Sequence, residues 1–277
     1  MLIVNIFDDI FPPDSSAGYK PRHFEYVWYQ PYFPGTTIFT DRYILNNTVD
    51  QVKSKIKLGW LVESREVIPY DPQFILSVAN KYDCIFTHDK FLLDFNPSKF
   101  KFCIPGSQRS QISYDEIRIY HKTKMVSMSV SYKTIATGHR FRHEVVKNLG
   151  NKIDIMGSGY KPYARAIEPY RDYRFVVMVE NAFYDYYFTE KILEPLWAGT
   201  IPIYKGPACI KNYFDMNGIL TFNTIEELDK ILSQLSPSLY ESKLQYVKNN
   251  FYLSQKGLLR DGAEDYLFEH YGYLFEP

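Results

Sequence analysis

The feature that most constrains this chain is an alternation of two patterns. Short, almost wholly apolar runs alternate with longer segments whose apolar residues recur at helical spacing. Runs with no polar face read as strands buried on both sides, as in parallel sheets covered by helices. The pattern therefore predicts repeated strand–helix units, an α/β protein. Leu2–Ile6, Thr37–Phe39, Gly59–Val62, Cys84–Thr87 and Lys101–Ile104 are the expected strands of a first set. Among them Asp71–Lys81 reads as a helix, with Phe74, Ile75, Val78 and Tyr82 on one face and Pro72 in its first turn.

A second set begins further on. Strand Lys124–Val130, helix Gly138–Leu149, strands Lys152–Met156 and Arg174–Val179, helix Thr189–Ala198, strand Ile201–Tyr204 and helix Thr224–Leu235 follow one another. Between the sets, Pro105–Ser113 gathers Gly, Ser, Gln and Arg and reads as an interdomain linker. The 277 residues suit two domains of roughly 100–150 residues each. We expect domains at 1–110 and 111–255, and a Tyr- and Leu-rich helical tail at 256–277 packing across both.

Charge and cysteines narrow the function classes. Lys plus Arg number 32, as do Asp plus Glu, so there is no cationic surplus to displace counterions from nucleic-acid phosphates. A local basic pocket is compatible with that balance. The start, MLIVNIFDDI, lacks the basic opening and long apolar core of a secretory signal. No apolar run approaches the roughly 20 residues of a membrane span. Cys84, Cys103 and Cys209 are far apart, lack zinc spacing and sit in apolar stretches that read as strands. Reduced core cysteines in a cytoplasmic protein are the expectation.

The chemistry concentrates in Phe175–Tyr213. There a buried strand ends in Glu180-Asn181, an aromatic loop follows, and a helix opens at Thr189, a good cap. Lys191 in its first turn opposes the helix dipole. A bound anion would relieve that cost, since helix N-termini and a lysine together suit a phosphate; the plain alternative is a solvated surface lysine.

This segment resembles the signature of glycosyltransferase family 10, the α1,3/α1,4-fucosyltransferases. The resemblance rests on Glu180-Asn181, then Tyr187-Phe188-Thr189-Glu190-Lys191, then Ala198-Gly199-Thr200-Ile201-Pro202-Ile203-Tyr204 and Gly206-Pro207. The family carries an Arg early in the helix after the first strand of its donor domain. Alignment on Leu149 selects Arg142, with Arg140 a close rival. It also has a strand ending in Glu-Ser or Glu-Asn, matched by Trp60-Leu61-Val62-Glu63-Ser64. Ala182 departs from the Ser or Thr that often follows Glu-Asn, and Phe183–Phe188 is unusually aromatic.

The resemblance implies a GT-B-like fold, two Rossmann-like domains facing a cleft, with the acceptor domain first and the nucleotide-sugar domain second. It implies an inverting glycosyltransferase that moves fucose from GDP-fucose to a hydroxyl of an acceptor glycan. Glu63 is then the catalytic base. Arg142 and Lys191 hold the diphosphate, Asn181 and Glu190 meet ribose and fucose hydroxyls, Thr189 caps the helix and Tyr187 packs on the nucleotide. Protein cations replace a metal in this scheme, and no Asp-x-Asp motif stands ready to hold one. Two alternatives remain at this point: another GDP-sugar donor, or a non-catalytic sugar- or nucleotide-binding module. The acceptor loops are expected in Asp14–Pro34, with Tyr19, Phe24, Tyr26, Trp28 and Tyr29, and Asp8, Asp9 and Asp14 are candidates to reach the acceptor.

Overall fold

A computed structural model describes residues 1–8, 23–103, 112–255 and 258–275. Asp9, Asp14, Tyr19, Ile104 and the Pro105–Gln111 part of the linker lie outside the described residues. The first half contains β1 (Leu2–Phe7), β2 (Phe24–Trp28), β3 (Tyr32–Thr40), α1 (Asp41–Leu45), β4 (Lys53–Trp60), α2 (Pro72–Val78), β5 (Cys84–Thr87), α3 (Lys90–Phe95) and β6 (Phe100–Phe102). The second contains β7 (Lys124–Ser129), α4 (Thr137–Leu149), β8 (Asp154–Met156), α5 (Glu168–Arg171), β9 (Tyr173–Val179), α6 (Glu190–Ala198), β10 (Ile201–Lys205) and β11 (Leu220–Thr221). Helices α7 (Ile225–Gln234), α8 (Pro237–Ser242), α9 (Leu244–Leu253) and α10 (Leu258–Tyr271) close the chain.

These strands make two all-parallel sheets, a six-stranded one in the order β2-β1-β3-β4-β5-β6 and a five-stranded one in the order β11-β10-β9-β7-β8. This is the two-sheet α/β arrangement that the strand–helix alternation predicts, and the GT-B-like architecture that the family resemblance implies. Side chains alternate across a strand, and both faces here are covered. On β9, Phe175, Val177 and Val179 enter one core with Ile201 and Ile203, while Val176 and Met178 enter the other with Ile192 and Leu196. On the first sheet, Ile6, Ile38 and Phe86 face one core and Phe7, Phe39 and Ile85 the other. Burial on both faces is why these strands read as continuous apolar runs.

The order in which successive strands are added reverses between β1 and β3 in the first sheet and between β7 and β9 in the second. In open α/β sheets, ligands bind beyond the carboxyl ends of strands at such switch points.

Several local expectations change. Gly59–Val62 is not a strand in that register: β4 runs Lys53–Trp60, because the Val62 and Glu63 amides turn away to the Asp41 carboxylate. Within Asp14–Pro34, Phe24–Trp28 is strand β2, paired with β1 from Leu2↔Phe24 to Ile6↔Trp28, rather than an acceptor loop. Cys209 sits in a 3-10 turn, Ala208–Asn212, not in a strand. In the tail, Tyr266, Leu267 and Phe275 join the first sheet's core, and Tyr271 Oη donates to the Phe102 carbonyl. Among the described residues, no helix is long and apolar enough to cross a membrane.

Candidate active site

Glu63 stands just beyond the carboxyl end of β4, in a loop fixed from two sides. Asp41 Oδ1 accepts the Val62 amide at 2.8 Å and the Glu63 amide at 3.2 Å. Asp41 itself holds φ 32°, a left-handed backbone that non-glycine residues seldom adopt. Such strain persists where surrounding contacts over-determine it; here the buried Asp41 carboxylate supplies those contacts. From the other side, His88 Nε2 donates to the Glu63 carbonyl at 3.3 Å. His88 follows β5 and is 2% exposed. Burial pulls its pKa down to about 4, so the imidazole is neutral at ordinary pH.

The Glu63 carboxylate faces the second sheet's loops. Tyr187 Oη donates to Glu63 Oε2 at 3.4 Å, and the Tyr187 ring meets His88 edge-on with centroids 4.9 Å apart. Two residues past Glu63, Arg65 pairs with Asp89 at 3.4 Å and lies 5.1 Å over the Tyr184 ring. Glu66 accepts the Thr137 amide at the start of α4. The loop after β4 and the loop after β9 thus face each other across one cleft.

On the second side, Glu180 organises the strand–helix junction. Its fully buried carboxylate accepts the Thr189 amide at 3.1 Å, the Thr189 hydroxyl at 2.9 Å and the Tyr204 hydroxyl at 3.1 Å. Burial raises its pKa and the neighbouring Lys191 ammonium opposes that rise. One side chain thereby ties the end of β9 to the start of α6 and to β10. Thr189 caps α6 by accepting the Lys191 amide at 3.4 Å. Lys191 Nζ reaches Thr189 Oγ1 at 3.1 Å and Glu190 Oε1 at 3.2 Å. Burial disfavours its charge, but Glu190 and Glu180 outweigh that and hold its pKa above the ordinary lysine value. The ammonium therefore persists in a part-buried site.

Arg142 projects from α4 into the same place. At 7% exposure it donates from Nε to the Val179 carbonyl at 3.0 Å, and from Nη2 to that carbonyl and to Asn181 Oδ1, the latter at 2.9 Å. Its rival Arg140 turns back on its own helix, bonding the Thr134 and Ile135 carbonyls at 3.1 and 2.7 Å. His139 Nδ1 accepts the Ala136 amide at 3.2 Å; burial first, then Arg142, lowers its pKa to about 4. This arrangement needs α4 close against β9, and Gly138 permits it: its amide donates to the Asn181 carbonyl at 2.9 Å, where a Cβ would stand 1.8 Å from the Glu180 carbonyl oxygen.

The structure thus gathers Arg142, Asn181, Tyr187, Thr189, Glu190 and Lys191 at the second sheet's switch point and sets Glu63 opposite, across the cleft. Tyr187 is 1% exposed, with its ring against His88 and no open face for a nucleotide. Asp8 follows β1 at the first sheet's switch point, where its carbonyl accepts the Tyr29 hydroxyl. The sequence reading gave no site role to Glu180, Asp41 or His88. A carboxylate at the end of an apolar strand was the available signal for Glu180; Asp41 and His88 act only through contacts distant in sequence. Two cations beside a capped helix start, opposite a carboxylate, suit an anionic donor and a proton acceptor. Among the described residues, no group of three or more His, Cys, Asp or Glu side chains could hold a metal ion.

Comparison with known proteins places this geometry in context. Residues 119–254 match the model described as glycosyltransferase family 10 (fucosyltransferase) C-term. A protein of Acanthamoeba polyphaga mimivirus, named a presumed fucosyltransferase (R654), is 49% identical, with 56% of this chain and 34% of that protein covered. The chain therefore spans about a third of the length of that curated relative. Among solved structures, an α1,3-fucosyltransferase with GDP-fucose superposes with TM-score 0.54 at 14% identity, covering 92% of this chain and 81% of that one. Anabaena HepE in complex with UDP-glucose gives TM-score 0.56 at 11% identity, covering 96% and 98%. At such identities the likeness is one of fold.

Proposed function

Since residues 119–254 match the model described as glycosyltransferase family 10 (fucosyltransferase) C-term, we propose that the protein is an inverting glycosyltransferase carrying fucose from GDP-fucose to a hydroxyl of a carbohydrate acceptor. The observation that carries this reading is the meeting across the cleft. Glu63 lies 3.4 Å from Tyr187 of the signature loop, with Arg142, Asn181 and Lys191 at the end of β9 behind it.

In this reading the first sheet's domain holds the acceptor and the second holds the nucleotide sugar. Arg142 and Lys191 bind the diphosphate and stabilise the charge that builds on it as the sugar–oxygen bond breaks. Glu63 takes the proton of the acceptor hydroxyl as its oxygen bonds to the anomeric carbon from the opposite face, which inverts that centre. Asn181 and Glu190 orient donor hydroxyls, and Thr189 and Tyr187 hold the loop that carries them. The protein's cations supply the positive charge, so the scheme requires no metal. The thiols of Cys84 and Cys209, their pKa values raised by burial, fit a reducing cytoplasmic setting.

The fold alone does not select the donor, since the superposition on a UDP-glucose complex is as good as on a GDP-fucose complex. The signature residues favour GDP-fucose. Incubation with GDP-fucose should release GDP, faster with an acceptor from a panel of β-galactosides and N-acetylglucosaminides. Glu63→Gln should cut turnover at least about a hundredfold while leaving GDP affinity nearly intact. GDP binding without turnover on any acceptor would favour a binding module, and no binding of guanine nucleotides would end the donor assignment.

A further inference from the structure

A pocket of about 210 Å³ opens in the cleft beside this cluster, lined by Arg65, His88, Asp89 and Phe91 from one domain and Phe183 and Tyr184 from the other, among others. It is smaller than the roughly 300–1,000 Å³ of sites for drug-sized ligands, a size suited to a single ring. Its charges balance: Arg65, which pairs with Asp89 at 3.4 Å, and Lys90, which pairs with Asp94, stand in the lining against Asp89 and Asp185. A phosphate would meet the Asp89 and Asp185 carboxylates here, whereas Arg142 and Lys191 line no part of this pocket. Its walls offer apolar faces as well, since Phe91 is 44% and Phe183 38% exposed, and Tyr184 lies under Arg65.

Paired ionic groups supply directed donors and acceptors without net charge, and aromatic faces cover C–H surfaces. Together these recognise a neutral polyhydroxylated ring. The wall is tied to the chemistry by short links: His88 holds the Glu63 carbonyl, Arg65 follows Glu63 by two residues, and Phe183 and Tyr184 precede the Thr189 helix start in one loop. We infer that this pocket is the subsite for the acceptor's sugar ring, with Phe91 and Tyr184 against its apolar face and the Arg65–Asp89 pair on its hydroxyls. The inference rests on the transferase reading for its meaning, and it moves acceptor recognition from the β1–β2 region to loops that follow β4, β5 and β9. Because both domains line the pocket, it forms only when they face each other, which couples acceptor binding to the donor loop.

The test is a binding measurement that needs no turnover. Ligand-observed NMR of the full chain, with GDP present, uses methyl β-galactoside and methyl N-acetyl-β-glucosaminide as probes. At least one should bind, and Phe91→Ala and Tyr184→Ala should each weaken it roughly tenfold while GDP affinity stays within about twofold of wild type. Phe91 is largely exposed, so its variant keeps the fold in play if Tyr184→Ala loses it. Wild-type binding that survives both substitutions overturns the inference, as does failure of both probes to bind. Loss of GDP affinity in both variants overturns it too, by assigning the pocket to the donor. Failure of the transferase reading shows separately, as no GDP release from GDP-fucose.

Discussion

Gly138→Ala is the sharpest test of how the site is assembled. A Cβ at this position would stand 1.8 Å from the Glu180 carbonyl oxygen and 2.7 Å from that of Asn181, against 3.4 Å for ordinary contact. Both obstacles are backbone, so no side-chain rotation relieves them, and α4 must retreat from β9 by about 1.6 Å. Arg142 rides on the same helix, and its 2.9 Å bond to Asn181 and 3.0 Å bond to the Val179 carbonyl would both stretch out of hydrogen-bond range. Overpacking costs about 1–3 kcal/mol, and each bond lost by a charged group adds about 1.5–3 kcal/mol. The expected sum, about 4 kcal/mol or more, lowers Tm by roughly 7 °C or more. A displaced Arg142 should also weaken GDP binding by at least about tenfold. Gly150→Ala is the control: it sits one residue past α4 in a helical backbone, with its nearest neighbours at 3.6 and 3.9 Å, and should change neither quantity. Calorimetric unfolding and GDP titration of the two variants read out both effects. A Gly138→Ala protein that melts within about 1 °C of wild type and binds GDP equally well would refute the close α4–β9 contact as the device that places Arg142.

Other expectations follow from single side chains. Lys191→Met should weaken GDP ten- to a hundredfold, roughly the loss of one charge-assisted contact, while guanosine affinity stays unchanged; an equal loss for guanosine would remove Lys191 from the phosphates. Lys122, buried, donates to the carbonyls of Tyr170, Arg171 and Ala198 and to the Thr200 hydroxyl. Lys122→Met leaves those buried acceptors short of a donor and should cost about 2–4 kcal/mol in denaturant unfolding, and a shift under about 0.5 kcal/mol would count against that role. His88 and His139, held near 4 by burial, stay neutral when folded but protonate near the ordinary histidine value when unfolded. The unfolded chain therefore binds more protons between about pH 4 and 6.5, so stability is full above that window and falls as pH drops through it, by roughly 3 kcal/mol for His88 and by less for the more solvent-screened His139. A His88→Gln/His139→Gln double variant should lose less Tm than wild type between pH 7 and pH 5; parallel losses would show that other groups carry the acid sensitivity.

The sequence by itself determined the broad strand–helix order and the location of the signature segment Phe175–Tyr213. Burial on both faces forces apolar runs such as Phe175–Val179, and local capping chemistry marks Thr189 and Asp71; both leave their mark on neighbouring residues. Thr189, Glu190, Lys191 and Asn181 were legible for that reason, being close in the chain as well as in space. Where pairing partners set the outcome, local sequence was silent. The aromatic stretch from Phe24 to Trp28 became strand β2 only because β1 offered it an edge, and β4 ended at Trp60 only because Asp41, distant in sequence, took the next amides. Alignment on Leu149 favoured Arg142 over Arg140 in the sequence, and in the fold the close α4–β9 contact aims Arg142 at the Val179 carbonyl while Arg140 bonds the Ile135 carbonyl. Only the tertiary structure decided that Glu63 faces Tyr187 and that His88 and Asp41 hold it there. Their attractions reach only a few ångströms, so residues far apart in the chain meet only when two folded sheets bring their strand ends together.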